Sequence, residues 1–207
     1  MNDSDSVGFV GVERDHVRPL LKRLGFRKRA LVFTRDRGGL TDVVSLQRSS
    51  GNSGGHVRFY VNCGIYSAEF ATAIGGTASA RPREVDCQFR CRLEKLVPGM
   101  PPWFEITDDE AAAAVGAEVS AGLEAGAGAL GLVTTTDQVA DRISGGVATE
   151  AFRYRIATGD WDSARRLYGS IRLEFGAEER WPRIDAVLRR HIPEAELDSI
   201  LSPVPPA

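Results

Sequence analysis

The sequence predicts an α+β protein: an N-terminal helix plus a four-stranded antiparallel meander, followed by a mostly helical C-terminal half. Two segments, Val57–Ile65 and Asp86–Leu93, alternate apolar and polar residues, which is typical of strands that cover a core with one face. Beyond Pro98 the pattern changes to helix-capping residues and apolar residues at helical spacing. We therefore expect a sheet domain over residues 1–106 and a helical extension over residues 107–207 packed on it.

Apolar spacing and turn residues place the elements of the first half. Asp15–Gly25 has apolar residues on one helical stripe and follows a start that we expect to be flexible. Leu31–Thr34 and Thr41–Gln47 are predicted strands, and the turn Asp36–Gly39 joins them into a hairpin. With the two alternating segments they complete the meander. Ser67–Arg83 contains glycine and proline without a clear period and is predicted to be a loop.

The second half is predicted to begin with a long helix, Ala111–Leu132, which Thr107 and Glu110 start as a capping box. Gly122 and Gly126 would let a neighbour approach this helix closely. Because the helix is built of alanine and glycine and carries two glutamates, we do not expect it to span a membrane. Four further helices are predicted at Asp137–Ser144, Val147–Thr158, Asp160–Phe175 and Glu178–His191.

Composition indicates a folded protein without a metal or a cofactor. The chain has 207 residues, of which 43% are hydrophobic and 26% charged. All three cysteines fall on the apolar positions of the alternating segments. Cys87 and Cys91 are about 13 Å apart along an extended strand, too far to share a zinc ion. The first residues lack a basic start and an apolar run, so we expect a cytoplasmic protein.

The polar positions of the two alternating segments form the predicted binding face. They are Arg58, Tyr60, Asn62, Asp86, Gln88, Arg90 and Arg92. If the segments are neighbouring strands, these side chains lie within cross-strand reach, and their guanidinium and amide groups could bind an anion or a planar polar ligand. The same face could equally be solvated or lie beneath the C-terminal helices.

Three classes of function remain open, and the first is favoured because no G-x-S-x-G motif, phosphate loop or histidine cluster is present. It is a non-catalytic binding module that takes a protein partner or a small polar ligand. The second is an enzyme acting on a phosphorylated or carboxylated metabolite. In it Arg90, Arg92 and Asn62 would bind, and Asp86 or Tyr60 would serve as acid or base.

The third class is a weak nucleic-acid binder. Residues 1–60 carry 11 Lys and Arg against 6 Asp and Glu, whereas residues 101–150 carry 1 against 9. The basic residues cluster on and after the first predicted helix, from Arg14 to Arg29. However, the sequence pI is about 6.0, far from that of a typical nucleic-acid-binding domain. The simpler hypothesis is that the basic and acidic segments meet within the molecule.

A series of short motifs resembles a bacterial family of domains of unknown function, numbered four-three-zero-four. The motifs are Leu24–Lys28, Phe33, Arg35, Val43–Val44, Leu46–Ser49, Phe59–Ile65, Cys87, Arg90, Arg92, Leu93 and Trp103. The resemblance covers roughly Val17–Ile106, about half of the chain. It implies an α+β fold. The family has no assigned activity, so the resemblance transfers no catalytic residue.

Overall fold

The computed structural model describes residues 4–52, 56–143 and 148–202. The chain forms two compact units, Met1–Ser67 with Ser79–Thr136 and Ala68–Ala78 with Asp137–Ala207. The predicted boundary between residues 106 and 107 does not coincide with this division. The long helix that follows that boundary packs within the first unit.

The chain contains the following strands and helices, numbered in sequence order. The strands are β1 Arg27–Arg29, β2 Val32–Asp36, β3 Leu40–Arg48, β4 Val57–Ser67, β5 Phe89–Arg92 and β6 Phe104–Ile106. The helices are α1 Ser4–Val12, α2 Arg18–Arg23, α3 Ala68–Ala73, α4 Leu93–Leu96, α5 Asp109–Gly131, α6 Thr136–Arg142, α7 Thr149–Ala157, α8 Trp161–Phe175, α9 Trp181–Arg189 and α10 Leu197–Leu201. A π-helical turn, Glu13–Val17, joins α1 to α2.

The predicted meander is present as strands β2 to β5, each antiparallel to the next. Two short strands extend it. β1 pairs with β2 and forms the outer edge of the sheet. β6 pairs with the start of β4, and β5 pairs with a later part of the same strand. The second alternating segment is extended only from Phe89 to Arg92, a shorter strand than predicted.

The odd-numbered side chains of β4 form the core side of the sheet, as alternation predicts. Phe59 is fully buried, and its ring lies 5.1 Å from Phe9 of α1 and 5.5 Å from Phe104 of β6. These contacts also explain a wrong prediction. The N-terminal helix begins at Ser4 rather than Asp15, because Phe9 and Val12 are buried and their packing outweighs the low helix propensity of the neighbouring glycines.

Helix α5 starts one residue later than the predicted cap. Asp108, not Thr107, is the N-cap, and its carboxylate accepts a hydrogen bond of 2.8 Å from the backbone amide of Ala111. This hydrogen bond lowers the pKa of Asp108, and a further bond from the Thr107 hydroxyl lowers it in addition.

The glycines of α5 admit side chains from neighbouring segments. A Cβ atom on Gly122 would overlap the sulfur of Met100, and one on Gly126 would lie 3.0 Å from Leu93. A Cβ atom on Gly116 would overlap the ring of His16, which the sequence left without a role. The expected close approach is therefore made by side chains rather than by a second backbone.

A buried carboxylate joins the β2–β3 hairpin to the end of α5. Asp42 is 0% exposed and accepts hydrogen bonds of 2.9 Å from Arg35 Nε and 2.7 Å from Arg37 Nη2. The same two guanidinium groups donate to backbone carbonyl oxygens at the C-terminal end of α5, those of Ala127, Leu130 and Val133. The two cations thus lie at the C-terminal end of α5, where they stabilise the negative end of its dipole.

The predicted turn between β2 and β3 directs Arg37 to this position. Gly38 and Gly39 have φ angles of 74° and 128°, a region that other residues rarely adopt. The amide of Gly38 donates to Asp36 Oδ1 at 2.9 Å, and the amide of Arg37 donates to the Leu40 carbonyl at 2.8 Å. The hairpin is therefore closed from both sides.

The second unit is helical, and α7 and α8 form the predicted hairpin. Its core is apolar and lies mainly between α7, α8, α9 and α10, with Phe152, Ile156, Ala164, Tyr168, Ile171, Phe175, Leu188, Ile192 and Ile200. Predicted helices over this region correspond to α6 to α9, although two predicted ends, Ser144 and Val147, lie outside the described residues. The predicted loop after Ser67 instead contains α3, because Phe70 stacks on Tyr154 with ring centroids 4.5 Å apart.

One arginine connects three helices of this unit. Arg155 of α7 is 6% exposed and binds the carboxylates of Asp137 and Asp141 on α6 and of Asp160, with the last two contacts at 2.6 and 3.1 Å. Asp160 is also the N-cap of α8, where it accepts from the Ser163 amide at 3.1 Å. The acidic segment noted in the sequence is thus partly neutralised within the molecule.

We predict that Asp42→Ala lowers the free energy of unfolding by about 3–5 kcal/mol, because it leaves two largely buried guanidinium groups without their carboxylate. Urea denaturation measures this change. Glu118→Ala, at an exposed position of α5, is the matched control and should change stability by no more than about 0.5 kcal/mol. A similar small change for Asp42→Ala would contradict the role given to the network.

Alkaline pH should selectively destabilise the second unit. Burial, together with the nearby carboxylate of Asp137, raises the pKa of Tyr154 to about 12. The unfolded tyrosine titrates near 10, so the contribution of Tyr154 is complete below about pH 10 and is lost as pH rises toward about 12, at up to about 1.4 kcal/mol per pH unit. Hydrogen exchange of α7 and α8 across this range should show the loss, and Tyr154→Phe should reduce it.

Candidate functional site

The even-numbered side chains of β4 project to the face of the sheet opposite Phe59. The register pairs Asn62 with Arg92 and Gly64 with Arg90, so β5 places its two arginines on this same face. Arg58 and Tyr60 belong to it by alternation. Five of the seven predicted residues therefore share one face, which we call the polar face: Arg58, Tyr60, Asn62, Arg90 and Arg92.

Arg92 is held by an aromatic ring rather than by an acid. Its guanidinium carbon lies 3.8 Å from the centroid of the Tyr60 ring. In the described part of the chain, Arg92 has no hydrogen-bond or ion-pair partner, and its Nη1 atom is shielded from solvent. Stacking fixes the plane of the guanidinium while leaving its N–H groups unused.

Arg58 repeats this arrangement at the other end of the face. Its guanidinium carbon lies 4.8 Å from the ring centroid of Trp103, and its Nη2 atom is 3.4 Å from Glu105 Oε1. Both side chains of this ion pair remain partly exposed, so the pair stabilises the fold by no more than about 1 kcal/mol. Asn52 positions the backbone of Arg58 by binding its N–H and its carbonyl at 2.9 and 3.0 Å.

Amide side chains lie beside the two stacked arginines. Asn62 Nδ2 donates to Gln47 Oε1 at 3.1 Å, and Gln47 of β3 is directly opposite Tyr60. Asn62 is buried, whereas Gln47 is exposed. This amide pair continues the polar face from β5 across β4 to β3.

Two predicted residues do not join the polar face. Asp86 lies in a 3₁₀ turn before β5, where its carboxylate accepts from the Arg83 backbone amide at 2.8 Å. Gln88 also precedes the strand, and its Oε1 accepts from the Ser67 amide at 2.8 Å. Both side chains bind backbone amides in or near the segment that precedes β5. The alternating pattern had wrongly included this segment in the strand.

The cysteines are also divided between the two faces. Cys63 and Cys91 are directly opposite each other in the β4–β5 register, on the core side. Cys87 instead packs over Gly64, where a Cβ atom would come within 2.9 Å of it, so the expectation that all three share the apolar face was wrong. Burial raises the pKa of Cys63 and Cys87, as expected of unreactive thiols.

The basic run near the N-terminus is partly paired within the molecule. Arg14 binds the neighbouring Asp15 at 2.6 Å, and Lys28 binds Glu13 at 2.7 Å. Arg23 lies 3.6 Å from Glu124 of the acidic helix α5. Of these three contacts, that of Arg23 with Glu124 joins the basic segment to the acidic one, as the simpler hypothesis expects; the other two lie within the basic segment.

Sequence reasoning missed three residues that contact the polar face: Gln47, Trp103 and Glu105. Trp103 was quoted only as a family motif, although it is 41% exposed. Its neighbour Phe104 begins a strand of three residues, too short to show alternation. Exposed tryptophan beside an arginine was the available signal.

Comparison with known proteins identifies the family of this chain. The family described as Domain of unknown function (DUF4304) matches residues 17–130, more than half of the chain, and the chain belongs to this family. Neither a curated protein nor a solved structure gives a significant match.

Two properties of the described residues bear on the class of protein. None of their helices is long and apolar enough to cross a membrane. Within the same ranges, no cluster of three or more His, Cys, Asp or Glu residues is arranged to hold a metal ion.

We predict that Tyr60→Leu frees Arg92 from its fixed position. The change removes a cation–π contact of about 0.5–1 kcal/mol, so the fold should persist. In NMR spectra the Arg92 side-chain protons should lose the upfield shift that the Tyr60 ring imposes, whereas those of Arg58 should keep theirs. Unchanged Arg92 shifts would show that the stack does not form in solution.

Proposed function

We propose that the protein is a non-catalytic binding module that recognises an anionic ligand or partner through the polar face. The observation that carries this proposal is the state of Arg92: a guanidinium stacked on Tyr60 at 3.8 Å with no acidic partner among the described residues. Arginines that serve the fold elsewhere in this chain are held by carboxylates. Arg35, Arg37 and Arg155 are examples.

The charge of the polar face supports an anionic partner. Among the described residues, Glu105 is the one acid that forms an ion pair with Arg58, Arg90 or Arg92. Arg90 is exposed and has no ion-pair partner within the described ranges. Guanidinium groups form short, charge-assisted hydrogen bonds with carboxylate and phosphate oxygens, and their planar shape adds geometric selectivity.

The geometry favours binding over catalysis. Asp86, proposed from the sequence as an acid or base, is occupied by the Arg83 amide and lies in the turn that precedes β5. Tyr60, the other candidate, is covered by the Arg92 guanidinium. The setting that we propose is the bacterial cytoplasm, and three cysteines outside any disulfide suit its reducing conditions.

A thermal-shift screen tests this function. The set should contain small carboxylates, sulfates, phosphates and acidic peptides. At a concentration of about 100 times its Kd, a bound compound stabilises the protein by about 2.7 kcal/mol. We expect at least one class to raise the Tm of the native protein and to lose this effect in Arg92→Gln and Arg90→Gln.

Arg18→Gln is the matched control, because Arg18 is an exposed arginine on α2, outside the polar face. It should retain the full response. A response that persists in both polar-face variants would place the ligand elsewhere, and no response to any class would contradict anion recognition.

A further inference from the structure

The guanidinium groups of Arg58 and Arg92 are both displaced from their register partners toward an aromatic ring. Arg92 is opposite Asn62 in the register, yet its guanidinium lies over Tyr60, two residues back along β4. Arg58 is opposite Glu105, yet its guanidinium lies over Trp103, two residues back along the chain from Glu105. The arginines therefore reach toward Tyr60 and Trp103 from opposite directions.

The sheet topology places both rings beside the end of the β4–β6 ladder. This ladder ends with Phe59 opposite Phe104. Tyr60 follows Phe59 along β4, and Trp103 precedes Phe104. The ladder with β5 begins only at Asn62, so the rings lie at the junction between the two strands that share the edge of β4.

Converging guanidinium groups repel each other unless an anion lies between them. Glu105 contacts Arg58 alone, at 3.4 Å, and no acid contacts Arg92 in the parts of the chain that are described. Arg58 Nε and Arg92 Nη1 are buried and have no acceptor among the described residues. The junction therefore combines excess positive charge with guanidinium groups that aromatic rings hold in place.

We propose that this junction binds a phosphate monoester in its dianionic form, with Arg58 and Arg92 on either side of the phosphate group. The inference rests on the proposed function and names its ligand class. A phosphate dianion offers three acceptor oxygens and nearly two negative charges, enough to bridge two guanidinium groups. A carboxylate offers two oxygens and one charge. The organic part of the ligand would extend over the Asn62 and Gln47 amides.

Calorimetry with phenyl phosphate as the probe tests this ligand class, with inorganic phosphate and benzoate as comparisons. We expect phenyl phosphate to bind more tightly than benzoate. Arg58→Gln and Arg92→Gln should each weaken its binding by about tenfold or more, the loss expected when a charge-assisted hydrogen bond is removed. Arg18→Gln should bind as the native protein does. Inorganic phosphate shows whether the phosphate group alone is sufficient.

The pH dependence separates a phosphate from other anions. The second pKa of a phosphate monoester is about 6, so its affinity should fall about tenfold between about pH 7.5 and pH 5. The groups beside the site are Arg58, Arg90, Arg92, Tyr60 and Glu105. Glu105→Gln should bind phenyl phosphate more tightly, because it removes the competing carboxylate, and should retain the same fall with pH.

The outcomes distinguish this inference from the proposed function. If benzoate binds as well as phenyl phosphate, or if phenyl phosphate does not bind at all, the phosphate assignment is overturned while the anion screen still decides the broader function. If phenyl phosphate binds equally to the native protein, Arg58→Gln and Arg92→Gln, its site lies elsewhere and both proposals fail.

Discussion

The buried carboxylate of Asp42 is the constraint on which the first unit depends. A carboxylate without contact to solvent is stable only when it is paired and hydrogen-bonded, and here Arg35 and Arg37 supply both. Both arginine side chains are also held in place by hydrogen bonds to backbone carbonyl oxygens at the end of α5. The hairpin turn, the sheet and the long helix are thereby fixed with respect to one another.

This arrangement separates two uses of arginine on the two faces of one sheet. On the core side, the guanidinium of Arg35 lies over the Phe26 ring and also donates to Asp42 and to the Ala127 carbonyl oxygen. On the polar face, Arg58 and Arg92 are positioned by the flat rings of Trp103 and Tyr60. A ring orients a cation without consuming its N–H groups. The residue is the same on both faces, and its neighbours determine whether its N–H groups are occupied.

The sheet could be predicted because alternation is a local pattern that persists in the folded chain. The start of α1 could not, since Gly8 and Gly11 lower helix propensity and the compensating contact of Phe9 is made with a distant strand. Asp86 and Gln88 continued the alternating pattern but are held in a turn by Arg83 and Ser67.

The same reasoning explains how much of the site was found. Arg58, Tyr60, Asn62, Arg90 and Arg92 follow from strand periodicity, which determines the face of each side chain. How these side chains group together could not be predicted in this way. The grouping depends on β6, a strand of three residues in which Glu105 lies 47 residues after its partner Arg58. Nothing local marks such a pairing. As a result, the contact of Arg58 with the Trp103 ring could not be predicted from neighbouring positions in the sequence.

The ends of the sheet carry a consequence for solubility. Its outermost strand, β1, has three residues, Arg27–Arg29, all basic and exposed. The opposite margin is divided between β5 and β6, so neither side presents a long uninterrupted row of backbone donors and acceptors. Short, charged margins discourage strand addition by a second chain. Both margins of the sheet therefore disfavour aggregation through strand pairing between molecules.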